Sequence, residues 1–128
     1  GIKMDEAAWM RVTGYGLEHF LHGPQAQMQT DDAMIVFSAE GPSLERACTV
    51  AQFGLDIAAP VAWISPASGP DGTITFHVAD VGEQLAPIVQ VIVTQLLAVH
   101  LAAQRDVDAD KFRLDDPSFA EAFKRYDL

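Results

Sequence analysis

Two short apolar runs with a helix-like segment between them constrain the fold of this chain most. Residues 34–38 (Met-Ile-Val-Phe-Ser) and 61–65 (Val-Ala-Trp-Ile-Ser) are continuous β-favouring runs, typical of strands that are buried on both faces. Residues 43–57 carry apolar side chains mostly three or four positions apart and begin with Ser43, a residue type favoured at helix N-caps. Strand, helix and strand of these lengths predict a right-handed βαβ unit. The fold class is therefore α/β with a parallel sheet.

Further segments supply another strand and two helices. Residues 73–78 alternate in polarity and predict a third strand with one wetter face. Residues 2–12 have the spacing of an amphipathic helix, and residues 84–103 form a helix that is apolar nearly all round. This long helix contains four polar side chains, Gln90, Thr94, Gln95 and His100. We therefore expect a buried core or interface helix and not a membrane span.

Composition limits the partners and the compartment. A chain of 128 residues suits one compact domain. Its 18 acidic and 8 basic side chains give a net charge of −10, which argues against a nucleic-acid partner or an anionic membrane, so a phosphate site has to be local. The single cysteine, Cys48, cannot form an internal disulfide and is expected as a small buried residue. Because the first residues are polar and acidic, we expect no secretory leader and a cytoplasmic protein.

The predicted elements do not make a complete sheet domain. Three strands are few for the number of helices, and the first helix has no strand in front of it. Residues 105–110 read as an acidic linker, and residues 115–126 predict a short docking helix that starts near a proline. We expect either an incomplete α/β domain or a partner that supplies the rest.

Two groups of residues suit proton-transfer chemistry. Lys3 and Glu6 lie one helical turn apart, and His22 precedes Gly23-Pro24, which ends a helix. A cation, a carboxylate and an imidazole in one cleft would act on a small phosphorylated or carbonyl substrate. An ordinary surface ion pair between Lys3 and Glu6, and a His22 that caps a turn, remain the alternatives.

The same residues carry a resemblance to a known family. Residues 2–6 correspond to a helix with the family sequence ALKLKE, and residues 18–24 correspond to the family's E-x-x-H-G-P corner. The apolar helix at residues 91–103, the acidic linker and Phe112-Arg113 correspond to the pattern that ends the family's domain. The chain thus resembles the C-terminal half of a double sugar isomerase (SIS) domain protein, the phosphosugar isomerase module also found in glucosamine-6-phosphate synthase. The resemblance implies a three-layer α/β/α sandwich with a flavodoxin-like parallel sheet. Residues 1–104 would be the second SIS domain without its first strand, and residues 105–128 a C-terminal linker and docking helix.

The resemblance also implies roles. Glu6 would carry a proton between the first two carbons of a hexose or amino-sugar phosphate, His22 would open the sugar ring, and Lys3 would support a hydroxyl or the enediolate charge. Glu18 and Gly23 would contact the substrate. Neither a metal nor an organic cofactor is needed for such a proton shuttle. The expected assembly is a homodimer or larger homo-oligomer, with an N-terminal SIS half as a further partner.

Departures from the family keep other functions open. The family's opening strand and the Ser/Thr-rich loops that hold the phosphate are absent, and residues 112–117 lead into a helix where aminotransferase-type enzymes have a lysine-bearing tail. These features favour an isomerase or deglycase over glutamine amidotransfer. A sugar-phosphate sensor and a dimerising remnant are the non-enzymatic alternatives. A zinc site is not expected because His19 and His22 lack a third ligand, and the acidic linker lacks the glycine and glutamate of a calcium loop.

Overall fold

The computed structural model describes residues 1–125. The helices are α1 (Ile2–Ala8), α2 (Leu17–Leu21), α3 (Leu44–Asp56), α4 (Ala86–Gln104) and α5 (Pro117–Lys124), with a 3₁₀ turn at Pro24–Gln27. The strands are β1 (Met34–Phe37), β2 (Val61–Ser65) and β3 (Ile74–His77). The chain divides into a sheet unit, Tyr15–Val93, and a terminal unit, which combines Gly1–Gly14 with the chain from Thr94 onward. The predicted domain boundary at residue 104 stays a prediction.

The sheet unit is built on a three-stranded parallel sheet in the order β1-β2-β3. Met34 lies opposite Val61, and Ala62 lies opposite Ile74. This arrangement confirms the predicted βαβ unit and the parallel α/β fold. β1 ends one residue earlier than predicted, although the Ser38 N–H still donates to the Ile64 carbonyl at 3.0 Å.

The core of the sheet unit lies between α3 and one face of the sheet. Trp63 is fully buried there, and its indole Nε1 donates to the Ala67 carbonyl at 3.0 Å. Small side chains on the inner face of α3 let the helix approach the strands closely. A Cβ at Gly54 would lie 2.7 Å from Val61 Cγ2, so this glycine is required by the close packing of helix on strand. The remaining core residues are Met34, Val36, Ala47, Val50 and Ala51.

The opposite face of the sheet is apolar but only partly covered. Side-chain alternation places Phe37, Ile64, Ile74 and Phe76 on this face. Ile64 is buried, whereas Phe37, Ile74 and Phe76 are 41%, 60% and 46% exposed. The prediction that β1 is covered on both faces is therefore wrong at Phe37. β3 is an edge strand with three of its four residues exposed, so its exposure extends beyond the single wetter face that the alternation predicted.

Helix α4 has nearly the predicted bounds, but the described residues do not bury it as a core helix, and the alternative of an interface helix stays a prediction. Ile88, Ile92, Leu96 and Val99 form one stripe along the helix and are 66%, 52%, 57% and 55% exposed. The apolar composition indicates that the surface of this helix packs against other protein or lipid. It does not indicate whether residues 1–125 provide that contact. By length and composition α4 could cross a membrane, with a mean hydropathy of 1.8, although core helices of soluble proteins pass the same test.

One buried polar side chain ties α4 to the sheet. Gln90 is 6% exposed, and its Nε2 donates to the Ser38 carbonyl at 2.6 Å and points to the Ile64 carbonyl at 3.4 Å. These carbonyls lie at the carboxyl ends of β1 and β2. The amide therefore fixes the first turns of α4 against that end of the sheet.

The terminal unit contains α1, the second half of α4 and α5. α1 ends at Ala8 and does not continue to Val12 as predicted, because Trp9 adopts a left-handed conformation with φ 50°. The N–H groups of Trp9 and Met10 both donate to the Met4 carbonyl, which closes the helix. The predicted docking helix forms as α5, with the Asp116 carboxylate accepting from the Ser118 N–H at 3.0 Å. Tyr126 of that prediction lies outside the described residues.

Candidate functional site

Lys3 and Glu6 form a close ion pair on α1. Lys3 Nζ lies 3.2 Å from Glu6 Oε2, and the two side chains are 59% and 37% exposed. Glu6 also lines a depression of about 360 Å³ in the terminal unit. The aromatic side chains of Trp9, Phe112, Phe119 and Phe123 form much of its wall. The Glu6 side chain thus has the Lys3 cation beside it and lies at the edge of a partly aromatic depression.

His22 lies at the end of α2, where the chain turns into the 3₁₀ segment. Its backbone N–H donates to the His19 carbonyl at 3.2 Å, and Gly23 follows with φ 155°. A Cβ at Gly23 would meet no atom within 4 Å, so the backbone angle and not space explains the glycine. The imidazole is 75% exposed, with Nε2 3.5 Å from Glu18 Oε2. The ring therefore faces a carboxylate and solvent, and not a helix carbonyl as the turn-cap alternative requires.

Glu18 is held in place by an arginine from α3. Arg46 contacts both carboxylate oxygens, with Nη2 2.8 Å from Oε2 and Nε on Oε1. The hydrogen bond from Arg46 lowers the pKa of Glu18, to which the charges of Arg46 and His22 add. The same contact raises the pKa of Arg46. Glu18 therefore stays ionised next to the His22 ring.

The chain is similar in sequence to a group of sugar-phosphate enzymes. It is 30% identical over 116 residues to the glutamine–fructose-6-phosphate aminotransferase [isomerizing] of Gloeobacter violaceus, covering 88% of this chain and 19% of that protein. The same enzyme of Thermosynechococcus vestitus is also 30% identical, with 88% and 18% covered. No family model matches the chain.

A solved structure gives the corresponding fold. The C-terminal domain of glucosamine-fructose-6-phosphate aminotransferase from Francisella tularensis superposes with a TM-score of 0.75 at 21% identity, covering 85% of this chain and 32% of that one. This confirms the predicted resemblance and the α/β fold class. The chain therefore resembles a sugar isomerase (SIS)-type domain in sequence and has the fold of this C-terminal domain. It spans about a fifth of the length of the curated relatives it matches first.

The candidate residues occur as two pairs. Lys3 and Glu6 belong to the terminal unit, and His22 and Glu18 belong to the sheet unit with Gly23. Within each pair the two side chains are in contact. The assignment of these five residues to catalysis and substrate binding is a proposal.

Sequence reasoning missed two contacts at or near these residues. Arg46 binds Glu18 from a different helix, and no local spacing signals that contact. Arg113 lies over the ring of Trp9, and both side chains line the depression that Glu6 lines. The Phe112-Arg113 dipeptide matches a family pattern, but that pattern does not indicate a contact with Trp9. Both contacts join residues that are distant in sequence, so only the folded chain reveals them.

The other polar groups do not assemble into a metal centre in residues 1–125, where no three His, Cys, Asp or Glu side chains are placed to hold an ion. His77 Nδ1 lies 3.1 Å from the Pro66 carbonyl, and this contact gives the imidazole a structural role. Cys48 is a free thiol on α3, and its half-buried side chain packs against the core of the sheet unit. It is thus less buried than the sequence predicted.

Proposed function

We propose that this SIS-type domain supplies the proton-transfer residues for aldose–ketose isomerisation of a hexose or amino-sugar phosphate. The observation that carries the proposal is the Glu6 carboxylate paired with Lys3, in a chain 30% identical to enzymes named as isomerizing. The relatives act on fructose 6-phosphate by their name, and a phosphorylated sugar is the corresponding substrate class here. Glutamine-dependent amino transfer is not part of the proposal.

Glu6 is the base in this mechanism. An aldose–ketose conversion needs one group to remove a proton from the carbon beside the carbonyl and to return it to the neighbouring carbon. The carboxylate takes the proton from one carbon and an enediolate forms. A proton moves from the hydroxyl oxygen to the former carbonyl oxygen, and the carboxylic acid returns its proton to the neighbouring carbon, so no oxidant or cofactor enters the balance. Lys3, 3.2 Å away, stabilises the negative charge as it moves from Glu6 to the enediolate oxygens.

His22 opens the sugar ring. Ring opening requires a proton on the ring oxygen and loss of a proton from the anomeric hydroxyl, and imidazole can donate and accept near neutral pH. Glu18 holds the ring through Nε2 and is itself fixed by Arg46. Gly23 lets the chain turn directly after this imidazole and leaves open space beside it for a sugar hydroxyl.

A charge-neutral substitution at the base tests the proposal. In the complete protein, Glu6→Gln should lower the rate of isomerisation of fructose 6-phosphate by at least about a hundredfold, as expected when a general base is lost. The matched control is Glu121→Gln, because Glu121 forms the same kind of surface pair with Lys124, at 3.6 Å. Equal activity of both variants and the parent protein would refute the role of Glu6.

A second candidate function is a sugar-phosphate sensor without turnover. The observation that favours it is the exposure of the reactive groups, since Lys3 is 59% and His22 75% exposed and catalytic sites usually exclude water. Calorimetric titration with fructose 6-phosphate distinguishes the two. Binding with no exchange of sugar protons would select the sensor.

We further propose that the domain is cytoplasmic and works as a homodimer or larger homo-oligomer, completed by an N-terminal SIS half. The uncovered sheet face and the exposed stripe of α4 support an additional protein layer, because parallel sheets are ordinarily covered on both faces. Light scattering on the complete protein tests the oligomer. Ile88→Glu should lower the molar mass if α4 forms the contact, whereas a monomeric parent protein would refute the oligomer.

A further inference from the structure

We propose that Arg113 is a positioning residue for Glu6 and acts through Trp9; this inference rests on the proposed role of Glu6. The guanidinium carbon of Arg113 lies 4.7 Å from the centroid of the Trp9 ring and 3.7 Å from that of the Phe119 ring. All three side chains line the same depression as Glu6. The stack thus joins the end of α1 to the start of α5.

The two rings are the main partners of the Arg113 cation. Among residues 1–125, its buried Nε has no hydrogen-bond partner, and the carboxylate oxygen paired with it, Asp116 Oδ2, is 3.8 Å away. That distance is longer than a hydrogen bond. A planar guanidinium can stack on an aromatic face in a way that an ammonium cannot. The geometry therefore depends on arginine and not on positive charge alone.

Trp9 connects its contact with Arg113 to α1, the helix that carries Glu6. It is the residue directly after α1, one turn beyond Glu6, and its N–H closes the helix on the Met4 carbonyl. α1 has only seven residues, too few for a helix that is stable by itself in water. The conformation of its last turn therefore depends on tertiary contacts, which the buried Met4 and Ala8 make and to which the ring of Trp9 adds. Fixing the indole fixes the direction of the Glu6 carboxylate.

The backbone before α5 is sharply bent at Arg113, whose guanidinium is in cation–π contact with both rings. Phe112 and Arg113 have φ angles of 47° and 59°, two successive non-glycine residues in the left-handed region. This conformation is unfavourable for such residues unless surrounding contacts hold it. Phe112 and Phe119 both pack on Phe123, with ring centroids 5.3 and 6.4 Å apart. Strain of this kind is concentrated at sites where position matters.

Conservative substitutions in the complete protein test the inference. Arg113→Lys should lower kcat by about ten- to a hundredfold with little change in KM, because a misdirected base is costly while substrate contacts remain. Trp9→Phe keeps a ring for stacking and should retain most of the activity. Arg105→Lys changes an exposed arginine in the same unit and is the control for the substitution itself. In a Glu6→Gln background, Arg113→Lys should cause no additional loss.

Several results would overturn the inference. Kinetics of Arg113→Lys equal to those of Arg105→Lys would show that Arg113 has no role in the reaction. A change confined to KM would make Arg113 a substrate contact. An undiminished loss of kcat in the Glu6→Gln background would show that Arg113 does not act through Glu6. If Arg113→Lys does not fold, Phe119→Leu removes one ring of the stack and is judged by the same kcat, KM and background tests. Failure of the function itself is distinct, because Glu6→Gln alone would then be fully active.

Discussion

Gln90 provides a sharp test of how α4 is attached to the sheet. We expect Gln90→Met, which keeps the side-chain length, to remove the 2.6 Å hydrogen bond to the Ser38 carbonyl. The Ile64 carbonyl keeps a partner because it also accepts from the Ser38 N–H. One buried acceptor is then left without its partner, which costs about 1–3 kcal/mol. Partial compensation by the more apolar Met side chain brings the expected loss of unfolding free energy to about 1–2 kcal/mol.

The assay is thermal and urea unfolding of the two variants Gln90→Met and Gln95→Met. Gln95 lies on the same helix but is exposed, so its substitution should change the unfolding free energy by less than about 0.5 kcal/mol. For a chain of this size the Gln90 variant should melt roughly 3–8 °C lower. Equal melting of both variants would refute the reasoning that this amide holds α4 to the sheet.

Three further predictions concern the core, the Glu18 pair and α5. Trp63→Ala, at a fully buried site, should lower the unfolding free energy by about 3–5 kcal/mol, measured by urea denaturation; a loss below about 1 kcal/mol would contradict the packing. Because its folded pKa is lowered, Glu18 contributes stability that is present above its unfolded pKa and lost as pH falls through the folded value. Arg46→Gln should therefore reduce the difference in melting temperature between neutral and acidic pH, and an unchanged difference would count against the pair. Asp116→Ala should cost about 0.5–2 kcal/mol through the lost N-cap of α5, visible as faster amide exchange at its first turn; unchanged exchange would contradict it.

The sheet unit was predictable because its signals are local. The apolar runs of β1 and β2 and the helical spacing of α3 indicate their own conformations, and two strands of one sheet with a helix between them ordinarily pair in parallel by a right-handed crossover. The observed strand β2, Val61–Ser65, has the predicted bounds. Ser43 was predicted as an N-cap and lies at that position, but its hydroxyl binds Glu83 and does not cap the helix.

The parts that sequence reasoning missed depend on distant contacts. α1 stops at Ala8 because Trp9 turns left-handed, a conformation that its residue type disfavours and that propensity does not predict. The exposure of α4 follows from what surrounds the helix and not from its composition. In the candidate site, the pairing of Lys3 with Glu6 followed from their spacing. The contact of Arg46 with Glu18 could not be predicted in this way, because it joins two different helices.

The most direct test of the central claim is proton exchange at the sugar. Fructose 6-phosphate is incubated in deuterium oxide with the complete protein, and deuterium at its first carbon is followed by NMR. We expect incorporation with the parent protein and with Glu121→Gln, and loss of at least about a hundredfold in rate with Glu6→Gln. Exchange that continues unchanged in Glu6→Gln, or that is absent from the parent protein, would contradict the assignment of Glu6 as the base.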